Sequence, residues 1–251
     1  QYQQALAQRA SGAGAVGGAA SPLSVYVHVP FCESVCYYCA CNKVVTKRHE
    51  RAEPYLVALF QEIDLHVATL GKGQSLSQLH LGGGTPTFLS DEQLERLLVK
   101  LQSSFRFVPG GEYAIEIDPR TVDADRLNRL AALGFNRLSL GVQDFDPEVQ
   151  FIINRIQSFE KTREVVEWSR KHGYKSINID LIYGLPKQTV SSIDFTINKI
   201  KDPIIKSPKK VNWDGVSVEK IDEKNVKFTL KQPYASFLEN TTIGILPSHL
   251  W

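Results

Sequence analysis

The sequence predicts an α/β protein built on a parallel sheet of five strands, followed by a tail of different grammar. Three observations predict it. Short runs rich in Val, Ile and Leu alternate with segments whose apolar residues recur at helical spacing, the pattern of βα units. The runs are nearly continuous in apolar residues, as strands buried on both faces of a parallel sheet are. The alternation stops past residue 190.

The elements follow in order. Residues 1–21 are rich in Ala, Gly and Gln, and read as a short helix followed by a Gly-rich linker. They lack the basic start and compact apolar core of a signal peptide. SVYVHV (24–29) is the first strand, and a loop containing all four cysteines follows it. Residues 53–70 place Leu56, Ala58, Leu59, Ile63 and Val67 on a helical stripe. QLHLGG (78–83) is a strand ending in glycine. Ser90 with Gln93 three residues on forms the capping-box pattern ahead of Leu94, Leu97, Leu98 and Leu101. YAIEID (113–118) is a strand, Leu127, Leu130 and Ala131 mark a helix that Gly134 can end, and RLSLGV (137–142) is the next strand. A helix over 159–171 and the strand SINIDLIYGL (176–185) complete the series. VSVEKI (216–221) and VKFTLK (226–231) flank DEKN and predict an antiparallel hairpin.

Bulk properties narrow the function less than they exclude. Lys and Arg total 29 against 27 Asp and Glu, a net charge of +2, so neither nucleic acid nor a membrane surface is expected as partner. No apolar run reaches the roughly eighteen residues that a membrane span needs. Met is absent, which suggests that residue 1 is not an initiator and that the chain is a fragment or a processed product. Composition shifts along the chain. Residues 1–150 hold 15 Ala, 3 Ile, 9 Arg and 4 Lys, whereas residues 151–251 hold 1 Ala, 14 Ile, 3 Arg and 13 Lys. The shift suggests that pieces of different origin have been joined, although the βα pattern runs through residue 150.

The chemistry concentrates at Cys32-Glu-Ser-Val-Cys36-Tyr-Tyr-Cys39-Ala-Cys41. Bunched thiols point to a shared metal and a reducing compartment rather than to a disulfide framework. A C-x3-C-x2-C loop offers three thiolates, which suits three irons of a cubane cluster and leaves the fourth iron open to a chelating substrate. A zinc site is the competing reading, but no second ligand pair exists, and disulfides within so short a loop would be strained.

YVHVPFCESVCYYCACNK, HLGGGTPTFL, IEIDPR, RLSLGVQDF, NRIQS and NIDLIYGLPKQT together resemble the oxygen-independent coproporphyrinogen III oxidase family of radical S-adenosylmethionine enzymes, over residues 1–193. The resemblance implies an incomplete (β/α)6-type partial barrel at residues 22–193, without the family's sixth strand. It implies that Cys32, Cys36 and Cys39 bind a 4Fe–4S cluster while Cys41 lies nearby without being a ligand. The family's cluster cleaves S-adenosylmethionine, of which two molecules are expected, and the resulting radical converts two propionates of coproporphyrinogen III to vinyl groups, giving protoporphyrinogen IX. Tyr26 and His28 share one face of the first strand, and the resemblance marks them as the catalytic pair, Tyr26 also touching the cofactor. It assigns Tyr38 to the adenine, Gly83, Gly84 and Thr85 to the lining of the two cofactor positions, and Glu116 to an amino group or ribose. Gln143, Arg155 and Asp180 are further cofactor contacts by the same comparison, Arg155 offering a planar fork to a carboxylate. A reductant protein, a cytoplasmic location and a monomer complete the expectation. A haem-chaperone-like relative is the alternative, against which Cys41 weighs.

The tail reads differently. Residues 194–251, above all VKFTLKQPYASFLEN and GILPSHLW, resemble extracellular solute-binding proteins for oligopeptides. That resemblance implies a chimeric chain, or, on a second alternative, a fragment of a periplasmic peptide-binding protein.

Overall fold

In the computed structural model the described residues are 21–182, 184–188, 197–198, 201, 210–222 and 225–232, with Gln4, Leu6 and Arg9. The helix and linker expected over 1–21 therefore lie almost wholly outside the described residues. The chain divides into two compact units. The first comprises Gln1–Val35, Ala40–Leu140 and Glu164–Asn178, the second Cys36–Cys39, Gly141–Arg163 and Ile179–Trp251.

The first unit carries the sheet. Its strands are β1 (Leu23–Val29), β4 (Ser75–Gly83), β5 (Arg106–Ile117), β6 (Arg137–Gln143) and β7 (Ser176–Leu181), lying side by side in that order. The last residues of β6 and β7 belong to the second unit. The β1–β4, β4–β5 and β5–β6 pairs are parallel. A two-residue pair, β2 (Phe31–Cys32) with β3 (Val44–Val45), fastens the root of the cysteine loop.

Alternation along the strands sorts residues by face. Val27, Val29, Leu79, Leu81, Ile115, Ile117, Leu138, Leu140 and Val142 are all buried. Tyr26, His28, His80, Gly82, Glu116, Ser139 and Gly141 occupy the alternate positions, and register sets Tyr26 beside His80 and His28 beside Gly82. Three helices of this unit bury the stripes that the sequence displays. They are α1 (Ala52–Leu70), α2 (Asp91–Ser104) and α3 (Ala124–Ala132). Leu56, Leu94, Leu97, Leu101, Leu127 and Leu130 are essentially inaccessible, and each such side chain contributes about 1.5–3 kcal/mol on leaving water. The capping box forms in full. Gln93 N–H donates to Ser90 Oγ at 3.2 Å, and Ser90 N–H donates to Gln93 Oε1 at 3.0 Å. β5 starts earlier than expected because Arg106 and Phe107 pair with Ser75 and Leu76 ahead of the Pro109-Gly110-Gly111 irregularity.

The second unit holds α4 (Pro147–Ile152), which the sequence reading passed over, and the start of α5 (Phe159–Lys171), which it placed correctly. Asp146 caps α4 by accepting from Glu148 N–H and Val149 N–H at 2.8 and 3.2 Å. After a short helix α6 (Lys210–Trp213) come β8 (Val216–Lys220) and β9 (Val226–Leu230), the expected antiparallel hairpin. Ile197, Trp213 and Val216 form a buried cluster with Val218, Phe228 and Leu230 against it. The segments PYASFLEN and ILPSHLW, on which the solute-binding resemblance leans, lie outside the described residues. Among the described residues no helix is long and apolar enough to cross a membrane.

Candidate functional site

In the first unit the polar face of β1, β4 and β5 carries a connected set of side chains. The Asn42 carbonyl can only accept, so His28 Nε2, 2.8 Å from it, bears the hydrogen. In the neutral ring, Nδ1 is then the acceptor for the Tyr26 hydroxyl at 3.1 Å. Tyr55 donates to the His28 carbonyl at 2.6 Å; burial pushes the Tyr55 hydroxyl up to about 12. Tyr26 also stacks on His80, with ring centroids 5.7 Å apart and planes inclined by 18°. Burial raises the Tyr26 hydroxyl, and the charges of Glu116 and then Cys41 add to it. His80 Nε2 lies 3.0 Å from Glu116 Oε1, and Gly83 N–H donates to Glu116 Oε2 at 3.2 Å. Glu116 thus has two protein partners within its own unit.

The glycine run explains itself by what surrounds it. A Cβ at Gly82 would lie 2.6 Å from Glu116 Oε1, one at Gly83 2.8 Å from the His28 ring, and one at Gly84 2.6 Å from the Phe31 carbonyl oxygen. Gly83 also sits at φ +110, a conformation that side chains disfavour. Gly84 N–H donates to the Val29 carbonyl and Thr85 N–H to the Phe31 carbonyl, both at 2.8 Å. Gly83, Gly84 and Thr85 therefore clasp the chain that leads into the cysteine loop, and the Thr85 hydroxyl reaches Cys32 Sγ at 3.7 Å.

The second unit arranges the middle of that loop by itself. Tyr37 N–H donates to the Ile153 carbonyl at 3.0 Å, and Cys39 N–H to the Cys36 carbonyl at 3.0 Å. Arg155, 8% exposed, directs Nη1 to Cys36 Sγ at 3.6 Å and Nη2 to the Gly141 carbonyl at 2.5 Å. Tyr38 packs against the Val149, Ile153 and Leu185 cluster. Burial drives its hydroxyl well above the usual phenol range, with the Arg155 charge opposing and the Cys36 sulfur adding. Gln143 ends β6 in the left-handed region at φ 72, and its carbonyl accepts from Ile182 N–H at 2.9 Å. Asp144, 2% exposed, accepts from Gln188 Nε2 at 2.5 Å and from Asp146 N–H at 2.7 Å. Asp180 lies half-buried in β7.

All four cysteines are free thiols. Among the described residues no three His, Cys, Asp or Glu side chains are gathered as a ligand set. The donor chemistry nevertheless fits an iron–sulfur cluster, since the loop carries free cysteine sulfurs and Cys32 and Cys36 each accept a hydrogen bond at sulfur, as cluster ligands do. Several neighbours of the expected residues escaped the sequence reading. His80 was visible only as the alternate residue of a buried strand. His49, which bridges the Phe88 carbonyl and Glu33 Oε1 at 3.0 Å each, and Asp144 carried no local signal at all.

These features define a cofactor-handling α/β protein with a thiol loop at the end of its first strand, and the family model agrees. The Radical SAM superfamily matches residues 26–200, and the chain belongs to it. That membership implies a 4Fe–4S cluster and S-adenosylmethionine.

The relatives are more particular. The chain is 53% identical over 184 residues to an oxygen-independent coproporphyrinogen III oxidase of Pseudomonas aeruginosa, covering 72% of this chain and 40% of the relative. It is 51% identical over 181 residues to the Escherichia coli protein of the same description, covering 72% of this chain and 39% of the relative. The Helicobacter pylori counterpart is 40% identical over 236 residues, covering 90% of this chain and 52% of the relative. A solved structure of the Escherichia coli coproporphyrinogen III oxidase, described as a radical SAM enzyme, superposes with a TM-score of 0.70 at 48% identity, covering 79% of this chain and 44% of that one. The chain thus spans about half or less of the length of these relatives. The comparisons lend no support to a foreign origin for the tail. The superfamily match continues to residue 200, and a match over 90% of the chain is longer than residues 1–193 can supply.

Proposed function

We propose that the chain supplies the cofactor-binding machinery of an oxygen-independent coproporphyrinogen III oxidase, with Cys32, Cys36 and Cys39 as cluster ligands and Cys41 beside them. The observation that carries this reading is the 53% identity to such an enzyme over 184 residues. When bound, the cluster and S-adenosylmethionine would supply the radical chemistry needed to take hydrogen from a propionate of coproporphyrinogen III. The chain's own residues then have separable tasks. Arg155 donates to the Cys36 sulfur and Thr85 to the Cys32 sulfur, hydrogen bonds that orient these side chains as ligands. Glu116 takes the cofactor's amino group or ribose, and Tyr26 and His28 form the catalytic hydrogen-bonded pair beside it. Tyr38 meets the adenine. Gly83, Gly84, Thr85, Gln143, Arg155 and Asp180 complete contacts to S-adenosylmethionine, of which two molecules bind. A reductant protein, a monomeric state and a cytoplasmic setting belong to the same reading.

Anaerobic reconstitution with iron and sulfide is expected to give a broad thiolate-to-iron absorption band that Cys36→Ala abolishes. After reduction, cleavage of S-adenosylmethionine to methionine and 5′-deoxyadenosine is expected. A colourless protein, or a loaded protein that leaves the cofactor intact, would sink the proposal.

A second reading concerns the tail alone. Residues 194–251 would be a separately acquired segment akin to peptide-binding proteins, a reading that rests on the resemblance of VKFTLKQPYASFLEN and GILPSHLW alone. An uninterrupted natural reading frame in independently isolated coding DNA would end it.

A further inference from the structure

Glu116 is held before any ligand arrives. One carboxylate oxygen faces His80 Nε2 at 3.0 Å and the other accepts from Gly83 N–H at 3.2 Å. The glycine at position 82 leaves the room in which this carboxylate lies, because a Cβ there would stand 2.6 Å from Oε1. An ionised carboxylate has about four acceptor sites, so the two protein donors leave about half of that capacity open. Both the His80 and Glu116 side chains remain 38% accessible, so a ligand can reach those open sites. The carboxylate accepts only, hence His80 Nε2 carries the hydrogen that is donated to it. The His80 ring is itself fixed by the Tyr26 ring stacked on it at 5.7 Å, and Tyr26 is tethered in turn through its hydroxyl to His28.

We infer that His80 is a positioning residue that pre-aligns the Glu116 carboxylate for the paired hydrogen-bond donors of a ligand, and that it couples this carboxylate to the Tyr26 ring. The inference rests on the reading of Glu116 as a contact to the amino group or ribose of S-adenosylmethionine, and it adds the residue through which that contact is built. Preorganised acceptors bind more tightly because they need no reordering when the ligand arrives. A histidine that donated to Glu116 only for stability would leave ligand affinity alone.

The test uses the anaerobically reconstituted chain and equilibrium binding of S-adenosylmethionine by calorimetry, with iron content and thermal unfolding measured alongside. His80→Leu is expected to raise Kd about tenfold, the size of one lost charge-assisted hydrogen bond, with iron content unchanged. His80→Gln, whose amide can replace the Nε2–H donor, is expected to recover most of the affinity. Glu116→Gln is expected to weaken binding too, and adding His80→Leu to it is expected to cost nothing further, since the two residues act through one contact. If Glu116→Gln weakens binding while His80→Leu does not, the positioning role is overturned and the Glu116 reading survives. Additive losses in the double variant would also overturn it. Normal binding by Glu116→Gln would overturn both. Should His80→Leu fail to fold, His80→Gln carries the comparison. Affinity that is lost with His80→Gln as fully as with Glu116→Gln would overturn the donor role.

Discussion

A methyl group at Gly82 would lie 2.6 Å from Glu116 Oε1, and one at Gly84 would lie 2.6 Å from the Phe31 carbonyl oxygen. The distances are the same and the consequences differ. The Glu116 carboxylate ends a flexible side chain and can swing away, whereas the Phe31 carbonyl is backbone held by Thr85 N–H at 2.8 Å. Gly82→Ala is therefore expected to leave the thermal midpoint nearly unchanged while weakening S-adenosylmethionine binding several-fold, because it displaces the carboxylate. Gly84→Ala is expected to cost about 1–3 kcal/mol of stability, as overpacking against an unyielding neighbour does, and to lower Tm visibly. Melting curves and ligand titrations on the two variants check this, and equal Tm losses would refute it. Much of this scale was legible in the sequence as residue types and little of it as partnerships. Glu116 in an apolar strand announced a need for a partner, but its choice of His80 follows from the register between β4 and β5, which no local pattern encodes. Arg155 likewise read as a fork for a ligand carboxylate, while its protein partners, the Cys36 sulfur and the Gly141 carbonyl, carried no local signal.

At the scale of elements, the join between the end of β6 and the residues Ile182, Leu185 and Gln188 rests on a buried carboxylate. Gln188 Nε2 donates both to Asp144 Oδ2 and to the Ile182 carbonyl, and its Oε1 accepts from Leu185 N–H. Burial raises the Asp144 carboxyl above its usual value, partly offset by the Asp146 N–H and Gln188 donors. A carboxyl raised on folding binds its proton more readily in the native state. Its contribution therefore favours folding at low pH, declines as pH rises from the unfolded value through the raised folded value, and is flat above both. Asp144→Asn lacks this dependence and serves as the reference. The stability of the natural chain relative to that variant is expected to improve as pH falls through the window just above 3.8. The variant is also expected to be the less stable of the two at neutral pH when its amide presents N–H groups to Gln188 Nε2, leaving two donors face to face. Chemical denaturation at several pH values measures the difference, and a gap that is independent of pH would refute the assignment. Elements themselves were more legible than this join. The capping box named the start of α2, and apolar spacing marked α1, because both signals are local. The Asp-Pro-Glu start of α4 was an equally local cap signal, overlooked because the helix is a mere six residues long. β5 was drawn short because its first turn of pairing lies ahead of two glycines.

For the whole molecule, the five-stranded sheet and the β8–β9 hairpin differ in how much holds each strand. β4 and β5 lie inside a five-stranded sheet, and Leu76, Leu79, Leu81, Ile115 and Ile117 are buried along them. β8 and β9 form a two-stranded sheet whose burial among the described residues centres on Ile197, Trp213 and Val216. A hairpin with so small a core is marginal by itself, while exchange of amides in a large buried sheet requires unfolding on the scale of the whole core. Native-state hydrogen exchange is therefore expected to show two levels. Amides of β4 and β5 should exchange through the most costly opening, and those of β8 and β9 through a cheaper one that responds less steeply to denaturant. Anaerobic loading with iron and sulfide is expected to raise protection around the cysteine loop and β1, whose Val29 carbonyl is tied to Gly84, and to leave the hairpin level unchanged. Equal opening energies in both sheets would show that the hairpin unfolds only with the core. A hairpin level that rose on cluster loading would show that it shares a cooperative unit with the thiol loop, and would remove the physical ground for treating the tail as a separate segment.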